Sequence, residues 1–593
     1  MASITPAGFQ STQELAVRRR VVLGLNLFTF LALGLTFAAV LGSGGWTVID
    51  MLMMACFVLA APWSVLGFWN AMLGLWLLHG RRYGLHAVAP FAATGDGDDP
   101  VRARVAVLLT LRNEDPARAF RRLAIVKASI AATGEGAHFS YFVLSDSSDP
   151  AVIAAEQANF DVWRENDDTP HRLFYRHRAV NEGFKAGNLR DFCHRWGADY
   201  DFMLPLDADS LMSGESVVKL VRIMQASPRL GILQSLVVGL PAASGFARLF
   251  QFGMRQGMRP YTMGSAWWGA DCGPFWGHNA LVRIRPFIQH CDLPILPGKP
   301  PLGGPILSHD QVEAALMRRA HYEVRVLPVE GGSWEENPPT VLDFIRRDLR
   351  WCQGNMQYWR LVGLPDLKFM SRFQLAWAIL MFLGVPAWTL MFGLAALKPF
   401  EAADLAAGYP AKPAMVVYGA FLLMSLTPKL AGVVDVLLTR GGARRYGGAL
   451  RFLASAGAEI LFSFLLGAIT TFRVTQFMLG LPFGRSVTWS GQERDAHALS
   501  WRTAAAGLWV PTAFGTAALM LLLVKAPMAA LLGLPLLIGY PLAIPFAVLT
   551  ADPRFEDWLT SRGLGAIPEE VETPPEIRAL GSRPAEPAVL EAA

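Results

Sequence analysis

Two groups of long apolar runs, one at each end of a stretch of ordinary soluble composition from Val101 to about Thr340, constrain this chain more than anything else in it. Val21 to Leu41 is almost wholly apolar and long enough to cross a hydrocarbon layer of about 30 Å. A second run, about Val48 to Leu78, follows a Gly-Ser-Gly-Gly turn, and no small-residue cleavage site separates the two. The pair therefore reads as a retained hairpin rather than a signal peptide. Arg18-Arg19-Arg20 precede it and Arg81-Arg82 close it, with neither Lys nor Arg in the turn. The positive-inside bias then puts the N-terminus and everything after Arg82 in the cytoplasm.

The whole composition agrees. Of 593 residues 53% are hydrophobic and 17% charged, with a mean hydropathy of +0.32, too apolar for a soluble enzyme of this size. The net charge of +5 is spread out. With no dense basic block, nucleic acid is excluded as an expected partner. Cys56, Cys193, Cys272, Cys291 and Cys352 form no CxxC pair and no metal-ligand spacing. They read as reduced thiols.

Within the soluble stretch, short apolar strands alternate with helical segments. Val105 to Leu109 and Tyr141 to Leu144 read as buried parallel strands with a helix over 122–131 between them, the βαβ pattern of a doubly wound α/β sheet. Tyr200 to Ser210 is another such strand, ending in Asp207-Ala208-Asp209. Two carboxylates at a strand end offer hard oxygen ligands to Mg²⁺ or Mn²⁺, ions that keep open positions for the phosphates of a substrate. A solvated turn accounts for such a pair equally well when it stands alone.

Other polar clusters flank it. Thr110 to Glu114 and Ser145-Asp146 follow the first two strands; Lys185-Ala186-Gly187-Asn188 offers a cation beside a small residue; and Gly277-His278-Asn279 lies in an aromatic stretch with Trp267, Trp268 and Trp276, suited to sugar rings. Ser308-His309-Asp310 opens a helix, where Asp310 could be only a cap. Arg347, Arg350 and Trp351 lie in an amphipathic Arg- and Trp-rich segment that reads as lying at the membrane surface.

The order of these clusters resembles the processive inverting glycosyltransferases related to cellulose synthase and hyaluronan synthase. The resemblance implies a cytosolic GT-A-type glycosyltransferase domain in an α-helical integral membrane protein, binding a UDP-sugar. By the same resemblance, Thr110, Glu114, Asp146, Lys185, Asn188, Gly277, His278, Asn279, Arg347, Arg350 and Trp351 serve the substrates. Asp207 and Asp209 serve the diphosphate and its metal, and Asp310 is the catalytic base. Arg350-Trp351 matches the end of the family's Gln-x-x-Arg-Trp motif, with Arg347 where glutamine is usual. Ser-His-Asp stands where Thr-Glu-Asp is common. Those departures are similar to the glucosyltransferases that make osmoregulated periplasmic glucans, over about residues 20 to 560. That branch implies UDP-glucose as donor, a β-1,2-linked glucan chain as product, and acyl carrier protein and periplasmic glucan-processing proteins as partners. It also implies the bacterial inner membrane. No stretch of sequence marks a docking site for the carrier protein.

The expected layout is a tail over 1–20, a hairpin over 21–82, the catalytic domain over 98–340 and interfacial helices over 341–368. A membrane region over 369–550 and a disordered tail over 551–593 follow. Spans are expected at about 373–397, 414–438, 503–523 and 528–550, which makes about six in all, or about eight with two more over 450–481. Residues 450–481, carrying Glu459 and Arg473, read as an interfacial or re-entrant helix or as two tight spans. Residues 482–500 hold Ser486-Val487-Thr488-Trp489, similar to the gating loop of cellulose synthase. A lipid glycosyltransferase adding one sugar, a cellulose-type synthase, a nucleotide-binding transporter or receptor, and a metal-dependent phosphohydrolase are the alternatives.

Overall fold

A computed structural model describes residues 9–401, 410–487 and 494–581. Thr488 and Trp489 of the gating-like loop lie outside the described residues, as does the end of the chain.

The apolar alternation of the soluble stretch builds a seven-stranded sheet in the order β3-β2-β1-β4-β8-β6-β9. Its strands are β1 (Val105–Leu111), β2 (Phe139–Ser145), β3 (Leu173–His177), β4 (Phe202–Asp207), β6 (Leu230–Ser235), β8 (Ala280–Arg283) and β9 (Glu323–Leu327). β1 to β4 run parallel, and β8 is antiparallel to both its neighbours. A second sheet joins β5 (Leu211–Met212), β10 (Ser333–Glu335) and β7 (Val238–Gly239).

Side chains alternate across β1. Val105, Val107, Leu109 and Leu111 enter one core with the helices Pro116–Ala132 and Gly214–Ala226. Ala106 and Leu108 enter the other with Phe184–Trp196, Ile284–His290 and Asp310–Arg319. The sheet is thus buried on both faces, as parallel strands require. In the β1/β4 register Thr110 stands opposite Asp207, and in β1/β2 Leu111 stands opposite Ser145. The polar breaks after all three strands therefore share one edge.

Six helices are long and apolar enough to cross a membrane: Thr12–Gly44, Val48–Gly80, Phe369–Phe400, Ala411–Leu438, Ala449–Phe483 and Trp501–Lys525. Three expectations change. The first helix begins at Thr12, because the Ser11 side chain caps it by accepting from the Glu14 N–H. Arg18 to Arg20 lie inside it rather than in a tail. The span expected over 528–550 is broken into Pro527–Leu537 and Ala543–Ala551, since Gly539-Tyr540-Pro541 turns between them and Pro541 offers no N–H. Most of the expected disordered tail is ordered as Pro553–Ser561, Pro568–Val571 and Pro575–Gly581.

The domain built on the seven-stranded sheet is seated on the first two membrane-capable helices through the long helix Gly245–Gly269. A Cβ at Gly74 would lie 1.7 Å from the Pro260 carbonyl oxygen, and one at Gly264 would lie 1.9 Å from that of Asn70. The two helices touch backbone to backbone there.

Candidate active site

Asp207 is the last residue of β4, and its carboxylate is paired with Lys185, which stands in the first turn of Phe184–Trp196. The Thr110 hydroxyl donates to the Leu206 carbonyl at 3.2 Å and reaches Asp207 Oδ1 at 3.4 Å. Burial alone would raise the Asp207 pKa; Lys185 and then His278 outweigh it and hold the carboxyl well below its ordinary range. Asp209 pairs with Arg494, from the segment that precedes Trp501–Lys525. The same guanidinium reaches Glu114 at 3.4 Å. Burial again opposes ionisation of Asp209, and Arg494 brings its pKa below the ordinary value. Glu114 goes the other way: burial, with Asp209 and Asp207 adding to it, outweighs Arg494 and pushes it up to about 7.

His278 stands between Glu335, at 3.4 Å, and the Ser210 hydroxyl, at 3.5 Å. Gly277 has φ +78°, which a side chain rarely adopts, and a Cβ there would lie 3.5 Å from Asp310 Cβ. This turn and Asp310, the first residue of Asp310–Arg319, are therefore direct neighbours. The preceding loop is clamped by the C-terminal end of the helix Val341–Met356 and the turn after it. Gln357 accepts from the Leu307 N–H at 2.9 Å, and the Tyr358 hydroxyl donates to the Ser308 carbonyl at 2.8 Å. Arg347, Arg350 and Trp351 share that helix. Arg347 lies 4.8 Å from the Trp351 ring centre, an i,i+4 cation–π pair. Burial, helped by Arg347 and Arg494, lowers Arg350 to about 10, so it stays charged at neutral pH. Trp351 is 49% exposed.

Thr110, Glu114, Lys185, Asp207, Asp209, Gly277, His278, Asp310, Arg347 and Arg350 thus form one connected cluster around the edge of β1 and β4. Three expected residues stand apart from it. Asp146 accepts both arms of Arg178 at 2.7 Å, at the end of β2. Asn188 is buried and donates to the Leu144 carbonyl at 3.0 Å, tying its helix to β2. Asn279 is fully buried; it donates to Ser333 Oγ at 3.0 Å and to the Trp334 carbonyl at 3.2 Å, joining the two sheets. Trp267 and Trp268 also leave the site. Trp267 packs against Arg18 and Trp76, and Trp268 donates to Asn70 at 2.9 Å, so both seat the domain on the hairpin.

Among the described residues, no three side chains of His, Cys, Asp or Glu are gathered into a ready cage for a metal. The donors at Asp207 and Asp209 still fit Mg²⁺ or Mn²⁺. They are hard carboxylate oxygens kept ionised, and such ions take one or two carboxylates and complete their shell with phosphates and water.

Residues 202–426, which hold Asp207, Asp209, Gly277, His278, Asp310, Arg347, Arg350 and Trp351, match the family model described as glycosyl transferase family group 2. Over most of the chain the similarity is to proteins named glucans biosynthesis glucosyltransferase H. The one from Xanthomonas campestris pv. campestris is 33% identical over 597 residues, 98% of this chain and 91% of that relative. That of Caulobacter vibrioides is 36% identical over 574 residues, 92% of this chain and 84% of the relative. The chain belongs to the glucans biosynthesis glucosyltransferase H family.

Relatives in this family differ in length: the chain spans 63% of the Pseudomonas aeruginosa protein, at 36% identity over 555 residues. A solved mannosyltransferase from Pyrobaculum calidifontis, in complex with GDP-Man and Mn²⁺, aligns at a TM-score of 0.35 and 15% identity, over 63% of this chain and 99% of its own. The family member described here is mostly helical, with six membrane-capable helices and a GT-A-like glycosyltransferase domain built on a mixed sheet. Sequence reasoning missed two members of its site, Glu335 and Arg494. The signal available was charge out of place. Glu335-Glu336 directly follows Trp334 in a short polar stretch, and Glu493-Arg494-Asp495 stands between two long apolar runs.

Proposed function

We propose that this chain is a processive, inverting glucosyltransferase. It takes glucose from UDP-glucose, builds the β-1,2-linked backbone of an osmoregulated periplasmic glucan and passes it outward through its own helices. One observation carries this reading. The Asp207/Asp209 edge with its cations, the Gly277 turn against Asp310, and the helix bearing Arg350 and Trp351 converge beside the membrane helices. The names of the relatives support glucose and a glucan; nucleotide, linkage, processivity and export are the reading offered here.

Asp207 and Asp209 would hold the divalent cation, which when bound neutralises charge on the diphosphate. Thr110 and Asp146, the latter with Arg178, are assigned to the nucleotide. Lys185 and Arg350 face the negative charge that grows on UDP as the anomeric C–O bond breaks. Asp310 accepts the proton of the acceptor hydroxyl while that oxygen forms the new bond from the opposite face, so an α-linked donor gives a β-glycoside. General-base help of this kind is worth roughly 10²- to 10⁴-fold. Trp351 offers a half-exposed ring to the terminal sugar and fixes its approach.

The catalytic domain and both ends of the chain are assigned to the cytoplasmic face. Four returns of the chain to that domain support this. Arg18 and Arg19 donate to the carbonyls of Trp267 and Trp268 at 3.0 and 3.1 Å. Arg445 lies 3.6 Å from Glu330, the Val487 N–H donates to Gln353 at 2.8 Å, and Glu570 accepts from Arg248 at 2.8 Å. Ala449–Gly480 is one unbroken helix, neither two tight spans nor a re-entrant turn, and its ends lie beside two such ties, so it is read as lying along the membrane face. Trp501–Lys525 then leaves the domain, and the broken pair of helices after it brings the chain back.

The test is incorporation of labelled UDP-glucose by the full chain in liposomes with Mg²⁺, with the product sized and its linkages determined. A β-1,2 polymer is expected. Label on lipid as a single sugar, or phosphate release without a glycoside, would overturn the proposal.

A further inference from the structure

Arg494 pairs with Asp209 and reaches Glu114, and its side chain is only 14% exposed. Its neighbours hold it in place. Asp495 accepts from Arg118 at 2.8 Å, and His497 lies 3.6 Å from Asp343 in the first turn of Val341–Met356. Lys185 meanwhile covers Asp207. Both carboxylates assigned to the divalent cation therefore already carry a cation of the chain's own.

The charges are informative. Asp207 and Asp209 are each already balanced, by Lys185 and by Arg494. A divalent ion alone has to displace a permanently charged guanidinium, and a diphosphate alone meets cations that the carboxylates already hold. A metal and a doubly charged diphosphate arriving together leave the net charge unchanged. An arginine released from Asp209 is then within reach of new phosphate oxygens, which its planar fork matches as well as it matches a carboxylate.

We infer that Arg494 is a stand-in cation that occupies the metal side of the site when it is empty and transfers to the nucleotide diphosphate when metal and nucleotide bind as a pair. This rests on the reading that Asp207 and Asp209 hold the metal. It makes metal and nucleotide binding mutually dependent, and by linkage each must raise the affinity of the other by the same factor.

The experiment is Mn²⁺ titration of the detergent-solubilised full chain, followed by the electron paramagnetic resonance signal of free Mn²⁺, with and without UDP. UDP affinity is measured separately with and without Mn²⁺. The wild type should bind Mn²⁺ weakly alone and about tenfold or more tightly with UDP. Arg494→Gln should bind Mn²⁺ about tenfold more tightly in the absence of UDP and bind UDP with Mn²⁺ about tenfold more weakly, so that the coupling shrinks. Arg494→Lys, which keeps the charge without the fork, should fall between and serves if the first variant does not fold. Unchanged Mn²⁺ and UDP affinities in a folded variant would overturn the role of Arg494 while leaving the metal site standing. No Mn²⁺ binding by the wild type even with UDP would remove both.

Discussion

Gly354 lies directly against Ser308: a Cβ on Gly354 would fall 2.1 Å from Ser308 Oγ and 2.9 Å from its backbone N. Ser308 is two residues before Asp310, so the helix that presents Arg350 and Trp351 also sets the position of the proposed base. Gly354→Val should push the Ser308 loop away and lower kcat by about 100-fold, a loss typical of a misplaced reacting group. Nucleotide affinity, measured by calorimetry with UDP, should change little. A variant with wild-type kcat would separate the helix from the positioning of Asp310.

Asp310→Asn should reduce glucose transfer by roughly 10²- to 10⁴-fold. UDP binding should persist. Retained synthesis in that variant would dismiss Asp310 as the base.

Trp351→Ala should leave UDP binding and single-turnover hydrolysis of donor nearly intact while the glucan becomes shorter. The half-exposed ring is assigned to the acceptor and not to the nucleotide. Product sizing by gel filtration reads this out, and an unchanged length distribution would exclude an acceptor role.

His309 is buried, which alone would lower its pKa, but the Glu313 carboxylate at 2.9 Å outweighs that and raises it above the ordinary value. A cation stabilised in the folded state contributes in full below its unfolded pKa of about 6.5, and the contribution is lost as pH rises through the raised folded value. The thermal midpoint in detergent should therefore fall from mildly acidic to alkaline pH, and Glu313→Gln should flatten that slope. Equal slopes for the two proteins would remove the pair from the account.

Arg255 is 1% exposed and is held by Glu330 at 2.5 Å and by Glu569, in Pro568–Val571, at 3.1 Å. Glu569→Ala leaves a buried charge half compensated and should destabilise the protein by about 3 kcal/mol. Deleting residues 553–593 should do at least as much. Unfolding monitored by denaturant would show a midpoint unchanged from wild type if the C-terminal helices were passive.

Asp207-Ala208-Asp209 alone was no more legible than a solvated turn; what marked it out was the polar clusters that follow the adjacent strands, which the fold brings to the same edge. Asn188 and Asn279 were assigned to substrate because an amide facing a ligand and one tying two strands look identical in a sequence. Arg494 and Glu335 could not be read: each matters through partners far away in the chain, and only the fold brings them together. The C-terminal helices were taken for a tail because their prolines suggest disorder. Pro553, Pro568 and Pro575 each stand at the first position of a helix, where the missing N–H costs nothing.

The contact of Gly74 with Pro260 and of Gly264 with Asn70 has a mechanical side. With backbone on backbone, each carbonyl rests on a glycine of the facing helix, which leaves little clearance at these two points for one helix to tilt against the other. The seat behaves as a fixed bearing. If the protein is processive as proposed, its stroke comes from smaller parts inside the domain, such as the helix that begins at Asp310 or the side chain of Arg494.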